Sequence, residues 1–89
     1  MQEISLTVHT FKEGKTYVAY LPELDLSSCG GTEEEARKSV RDAIRGFLET
    51  SRDMGTLEEI LAEAGYERDG HTWRSPEFVS LDRLTMSVR

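Results

Sequence analysis

Tyr17-Val18-Ala19-Tyr20-Leu21-Pro22-Glu23-Leu24, with Cys29-Gly30-Gly31-Thr32-Glu33-Glu34-Glu35-Ala36 a few residues on, is the stretch whose reading decides the fold. Aromatic and β-branched residues from Tyr17 to Leu21 favour a strand, and Pro22, which has no N–H to give a ladder, stops it. Leu24 to Cys29 reads as the next strand, closed by Gly30-Gly31. Thr32-Glu33-Glu34-Glu35 is a capping box: the Thr32 hydroxyl accepts a backbone N–H near Glu35, while the Glu35 carboxylate reaches back to the cap. Three carboxylates also suit the positive end of a helix.

Downstream, Ala36, Val40, Ala43, Ile44, Phe47 and Leu48 recur at steps of three and four, which marks the apolar stripe of a long helix that must cover a sheet face. Gly46 interrupts it at about 1 kcal/mol relative to Ala, a cost accepted where a backbone packs closely. Gly55 ends the helix, and Thr56-Leu57-Glu58-Glu59 repeats the capping-box arrangement for a short second helix running to Gly65. Tyr66 stands where a hydrophobic residue folds back on the last helical turn. Asp69-Gly70 offers a tight turn between Tyr66-Glu67-Arg68 and His71-Thr72-Trp73, and the alternation Leu84, Met86, Val88 predicts a last strand.

Upstream, Ile4, Leu6 and Val8 alternate with Glu3, Ser5, Thr7 and His9, the pattern of a strand from Glu3 to Thr10 wet on the His9 side. Lys12-Glu13-Gly14-Lys15 turns it into the Tyr17 strand. The expected fold is a single α+β domain over residues 1–89: an antiparallel sheet in the order β-β-β-α-α-β-β, with the long amphipathic helix on one face.

Composition narrows the function. A chain of 89 residues has room for one core. No apolar run approaches the roughly 20 residues of a membrane span, and Met1-Gln2-Glu3 does not open a signal peptide, so a cytoplasmic protein is expected. The lone Cys29 agrees with a reducing compartment and reads as a small strand or turn residue. A net charge of −6 disfavours direct nucleic-acid binding and predicts a neutral or basic protein partner. Acids gather at Asp53, Glu58, Glu59, Glu63, Glu67 and Asp69, with Arg68 the sole cation from 53 to 69; that surface is either a solvated face or one that steers a basic partner.

Catalysis has thin support. Glu33, Glu34 and Glu35 are explained by the helix start, and they would repel a phosphate seated on Gly30-Gly31-Thr32. Glu23 and Asp25 flank Leu24 in a turn, and His71 follows the turn glycine; they leave open a metal-dependent nuclease or hydrolase that RNA and Mg²⁺ would reveal. His9 and His71 have no zinc-ligand spacing, so no metal and no cofactor is expected. Tyr66 and Trp73 read as core before interface.

The Tyr17–Leu24 segment, Cys29, and the Gly31-Thr32-Glu33-Glu34-Glu35-Ala36 helix opening resemble the signature of the HicB-like antitoxin family: a Tyr-x-Ala-x-x-Pro-x-Leu strand, then Gly-Thr, acids and Ala. The resemblance implies a degenerate RNase H-like fold without a catalytic carboxylate set, hence no enzyme, and a toxin–antitoxin role: neutralising a small basic mRNA-cleaving toxin, HicA-like, by masking its active site. The chain departs from the family pattern in having Asp25-Leu26-Ser27-Ser28 where many members carry Pro-Gly, and in showing no basic recognition helix after Gly55. The partner-binding surface expected here comprises Tyr20, Glu23, Leu24, Asp25, Glu58, Glu59, Glu63 and Trp73. A homo-oligomer, a homodimer formed by a free sheet edge pairing across a two-fold axis, is also expected.

Overall fold

The computed structural model describes residues 3–89, with elements β1 (Glu3–Ile4), β2 (His9–Glu13), β3 (Thr16–Leu21), β4 (Leu26–Gly30), α1 (Glu33–Met54), α2 (Leu57–Glu63), β5 (Glu67–Asp69) and β6 (Thr72–Arg74). Gly14, at φ 63, supplies the positive φ that a two-residue hairpin loop needs, and β2 pairs β3 antiparallel from Glu13↔Thr16 to His9↔Tyr20. β3 in turn pairs β4 antiparallel, with Val18 opposite Cys29 and Ala19 opposite Ser28. Alternation then sorts the side chains: Ala19 and Leu21 point to α1 and are fully buried. The helix answers with Ala36, Val40 and Ile44, and Leu48 packs on the same cluster. Leu21, Val40 and Ile44 so buried each contribute roughly 1.5–3 kcal/mol.

The helix start fixes how closely the two layers approach. Thr32 Oγ accepts the Glu35 N–H at 3.1 Å, and the Glu35 carboxylate accepts the N–H of Gly31, one residue before the cap, at 2.9 Å. At Gly30 an added Cβ would stand 2.6 Å from Glu35 Cβ and 2.8 Å from the Ala36 nitrogen, so only glycine lets β4 run this tightly into the helix. The Ser28 and Ser39 hydroxyls hydrogen-bond across the same seam. Gly46 differs from expectation: a Cβ there would meet nothing within 4 Å, so no close packing explains it.

A second, smaller assembly carries the other cluster. β5 and β6 form an antiparallel hairpin, β1 adds to β6 in parallel, and the strand order is β1-β6-β5. Leu61 of α2, Tyr66 and Trp73 form its buried centre, and Leu6 and Leu24 pack against both clusters, tying the two together. Tyr66 folds back as its position predicts, its N–H on the Leu61 carbonyl at 2.9 Å.

Several expectations are corrected. The strands form two three-stranded sheets, not one, and one pairing is parallel. The Glu3–Thr10 strand breaks over residues 5–8 because side chains take the ladder's place: Tyr66 donates its hydroxyl to the Ser5 carbonyl at 2.7 Å, and the Glu23 carboxylate accepts the Thr7 N–H at 3.1 Å. His9 is half-buried in β2, not solvated. The strand after Pro22 begins at Leu26, since residues 22–25 turn with Asp25 at φ 52. Thr56 makes no capping box; its hydroxyl and N–H both turn back to the Ser51 carbonyl at the end of α1. The predicted Leu84–Val88 strand is absent, residues 75–89 having no partner strand to pair with.

Candidate functional site

Gly55, at φ 76, stops α1 in a left-handed cap whose N–H reaches the Arg52 carbonyl, and α2 starts two residues later on a different course. That change of direction leaves a cleft of about 590 Å³ between the end of α1, α2 and the parallel β1/β6 pair. Its walls are apolar, from Ile4, Leu48, Leu57, Leu61 and Trp73, while Glu49, Arg52 and Glu58 stand around them. An apolar concavity with few polar groups at its margin is the usual form of a binding site.

Charge is arranged on one side of it. Glu58, Glu59 and Glu63 are exposed on α2, Glu59 and Glu63 one helical turn apart on its outer side. Arg68 bonds Glu58 at 2.8 Å and lies over the Trp73 ring at 5.8 Å. Both partners of that ion pair are solvent-exposed, so it positions the groups more than it stabilises the fold.

The other expected residues collect at the β3–β4 turn. Tyr20 donates its hydroxyl to Asp25 at 3.0 Å, and that hydrogen bond, then burial, then the Asp25 charge, raises the phenol above its ordinary value. Glu23 turns inward: one carboxylate oxygen holds Thr7, and the other is buried without a hydrogen-bond partner among the described residues. Burial, with the Glu23 charge second, pushes the Tyr66 phenol up to about 12.

The expected partner surface therefore separates into two patches. Tyr20 and Asp25 lie on the turn, Leu24 packs down between the clusters, and Glu58, Glu59 and Glu63 line α2. Trp73, at 6% exposed, is core, the first of its two readings, and forms the back of the cleft. Glu23, Asp25 and His71 do not converge; His71 is exposed in the β5–β6 turn and offers its backbone carbonyl to Glu3. Among the described residues no group of three or more His, Cys, Asp or Glu side chains could hold a metal ion, and no helix is long and apolar enough to cross a membrane. Sequence reasoning missed Ile4, Leu48 and Leu57 as cleft walls, because an apolar periodicity marks a buried face without saying where two such faces diverge.

No family model matches the sequence, and no curated protein or solved structure matches it either.

Proposed function

We propose that this chain is a HicB-like, antitoxin-type protein-binding module of the cytoplasm, built on a degenerate RNase H-like scaffold. Its partner is a small basic mRNA-cleaving toxin of the HicA-like type, whose active site it masks. The observation that carries this reading is the apolar cleft beside α2, with Glu58, Glu59 and Glu63 exposed on that helix in a protein of net charge −6. Long-range attraction brings a basic protein to such a face, and an apolar side chain entering the cleft supplies the lasting contact. The Tyr17–Ala36 pattern supports the family half of the proposal.

The test is co-expression with the product of any small neighbouring open reading frame that is basic and arrests growth. Growth is restored and the two proteins co-purify as a defined complex. Glu59→Lys with Glu63→Lys weakens binding about tenfold or more and flattens its salt dependence, with an unchanged circular dichroism spectrum. No rescue together with no complex refutes the proposal, and RNA cleavage by this chain alone, lost in Glu23→Ala or His71→Ala, replaces it with the hydrolase reading.

A further inference from the structure

Two apolar surfaces of this chain stand largely open among the described residues. The first is the outer face of the β2-β3-β4 sheet. The alternation that sends Ala19 and Leu21 under α1 sends Phe11, Val18 and Tyr20 the other way, and the pairing Phe11↔Val18↔Cys29 makes a row across all three strands. Phe11 is 49% exposed and Cys29 is exposed. The second is the segment 75–89, where Leu84, Met86 and Val88 are 80%, 80% and 94% exposed at the spacing of one strand face.

The size of the molecule says how much is uncovered. A compact chain of 10.1 kDa exposes about 5,300 Å². This one exposes 7135 Å², roughly 1,800 Å² more than that expectation. Its radius of gyration, 15.3 Å, likewise exceeds the about 12 Å of a compact chain of this length. A standard interface takes about 800 Å² from each partner, so the excess is about twice that share, and two such chains together carry roughly 3,600 Å², within the roughly 2,000–5,000 Å² that obligate homodimers bury.

The two surfaces match each other. Phe78 meets His9 edge-on at 6.4 Å, and Phe78 and Leu81 border a hollow of about 260 Å³ with residues 7–11, so the segment already runs beside β2. Residues 83–89 carry Arg83 and Arg89 and no acid, whereas the open face carries Glu13 and, bonded to Tyr20, Asp25. Within a single chain Phe78 and Leu81 reach the edge of that face at β2, while Leu84, Met86 and Val88 beyond them stay exposed.

We propose that residues 83–89 of one copy lie across the open β2-β3-β4 face of a second copy, and reciprocally, in a two-fold exchanged dimer. The exchange covers both surfaces in both copies and closes on itself, leaving no surface for further growth. It uses none of the cleft-lining residues, so it stands or falls apart from the partner-binding proposal.

Cys29, the only cysteine, sits on the open face and provides the probe. Full-length wild type is dimeric by light scattering at micromolar concentration, and Met86→Asp and Val18→Asp are each monomeric with Met86→Asp keeping its urea midpoint. Among Leu84→Cys, Met86→Cys and Val88→Cys, mild oxidation gives a covalent dimer from at least one, and adding Cys29→Ser abolishes it. A monomeric wild type, an oxidised monomer linked within one chain, linkage that survives Cys29→Ser, or no linkage from any of the three positions overturns the proposal.

Discussion

The two faces of the β2-β3-β4 sheet are built by the same three strands and meet opposite fates. On one, Ala19 and Leu21 lie sealed beneath Ala36, Val40 and Ile44; on the other, Phe11, Val18 and Cys29 stand in a row with only the entry of the 75–89 segment beside them. A sheet meant to be wet on its second face carries polar residues there. Here the second face keeps the apolar row Phe11, Val18 and Cys29 between the polar Glu13, Thr16 and Ser27.

Three measurements would break or sharpen that contrast. The largest effect belongs to a matched pair: Leu21→Ala lowers the unfolding free energy by about 2–5 kcal/mol. Val18→Ala, half-buried one face away, costs about 1 kcal/mol or less when urea unfolding is followed at a concentration low enough to keep single chains. Equal losses would mean that the faces are equally packed. Next comes Gly30→Ala, which pushes β4 off the first turn of α1 and costs about 1–3 kcal/mol in the same assay. A neutral outcome there would show that the covered face tolerates a wider seam than the structure has.

The smallest effect compares two phenols, Tyr66 inside and Tyr20 on the open face. Tyr66 ionises only near 12, above its ordinary 10, so the folded state resists its phenolate. The stability this contributes is complete below pH 10 and is lost as pH rises towards 12; Tyr66→Phe removes that alkaline dependence. Tyr20 is raised chiefly by its hydrogen bond to Asp25, so in Asp25→Ala an absorbance titration finds its phenol lower while Tyr66 is unmoved. Joint movement of both would show that the turn and the interior are one unit.

What could be read from the sequence was local. The Thr32 box, the Gly14 loop, the stop at Pro22 and the stripe along α1 each depend on neighbours within a few residues, and each is found in place except that Ala43 of the stripe is exposed. The break at residues 5–8 was not legible, because it depends on Glu23 and Tyr66 supplying hydrogen bonds from 16 and 61 residues away. The cleft was hidden for a related reason: Leu48 and Leu57 look alike in periodicity, and only the turn at Gly55 decides that their side chains border an opening. Of the site residues, Tyr20 and Asp25 do meet, and Trp73 is core as its type and setting suggested, but no pattern in the sequence foretold that it would back a cleft.

The parallel contact of Glu3 and Ile4 with Thr72 and Trp73 also sets an order of assembly. Everything from His9 to Met54 pairs with near neighbours and can settle while the chain is still emerging from the ribosome. The first strand must wait for the last. Until Trp73 has been made, Ile4 and Leu6 have only half of their final surroundings. Ile4, made well before Trp73, is thus fixed only after it, and a chain stopped short of Trp73 leaves that strand unpaired.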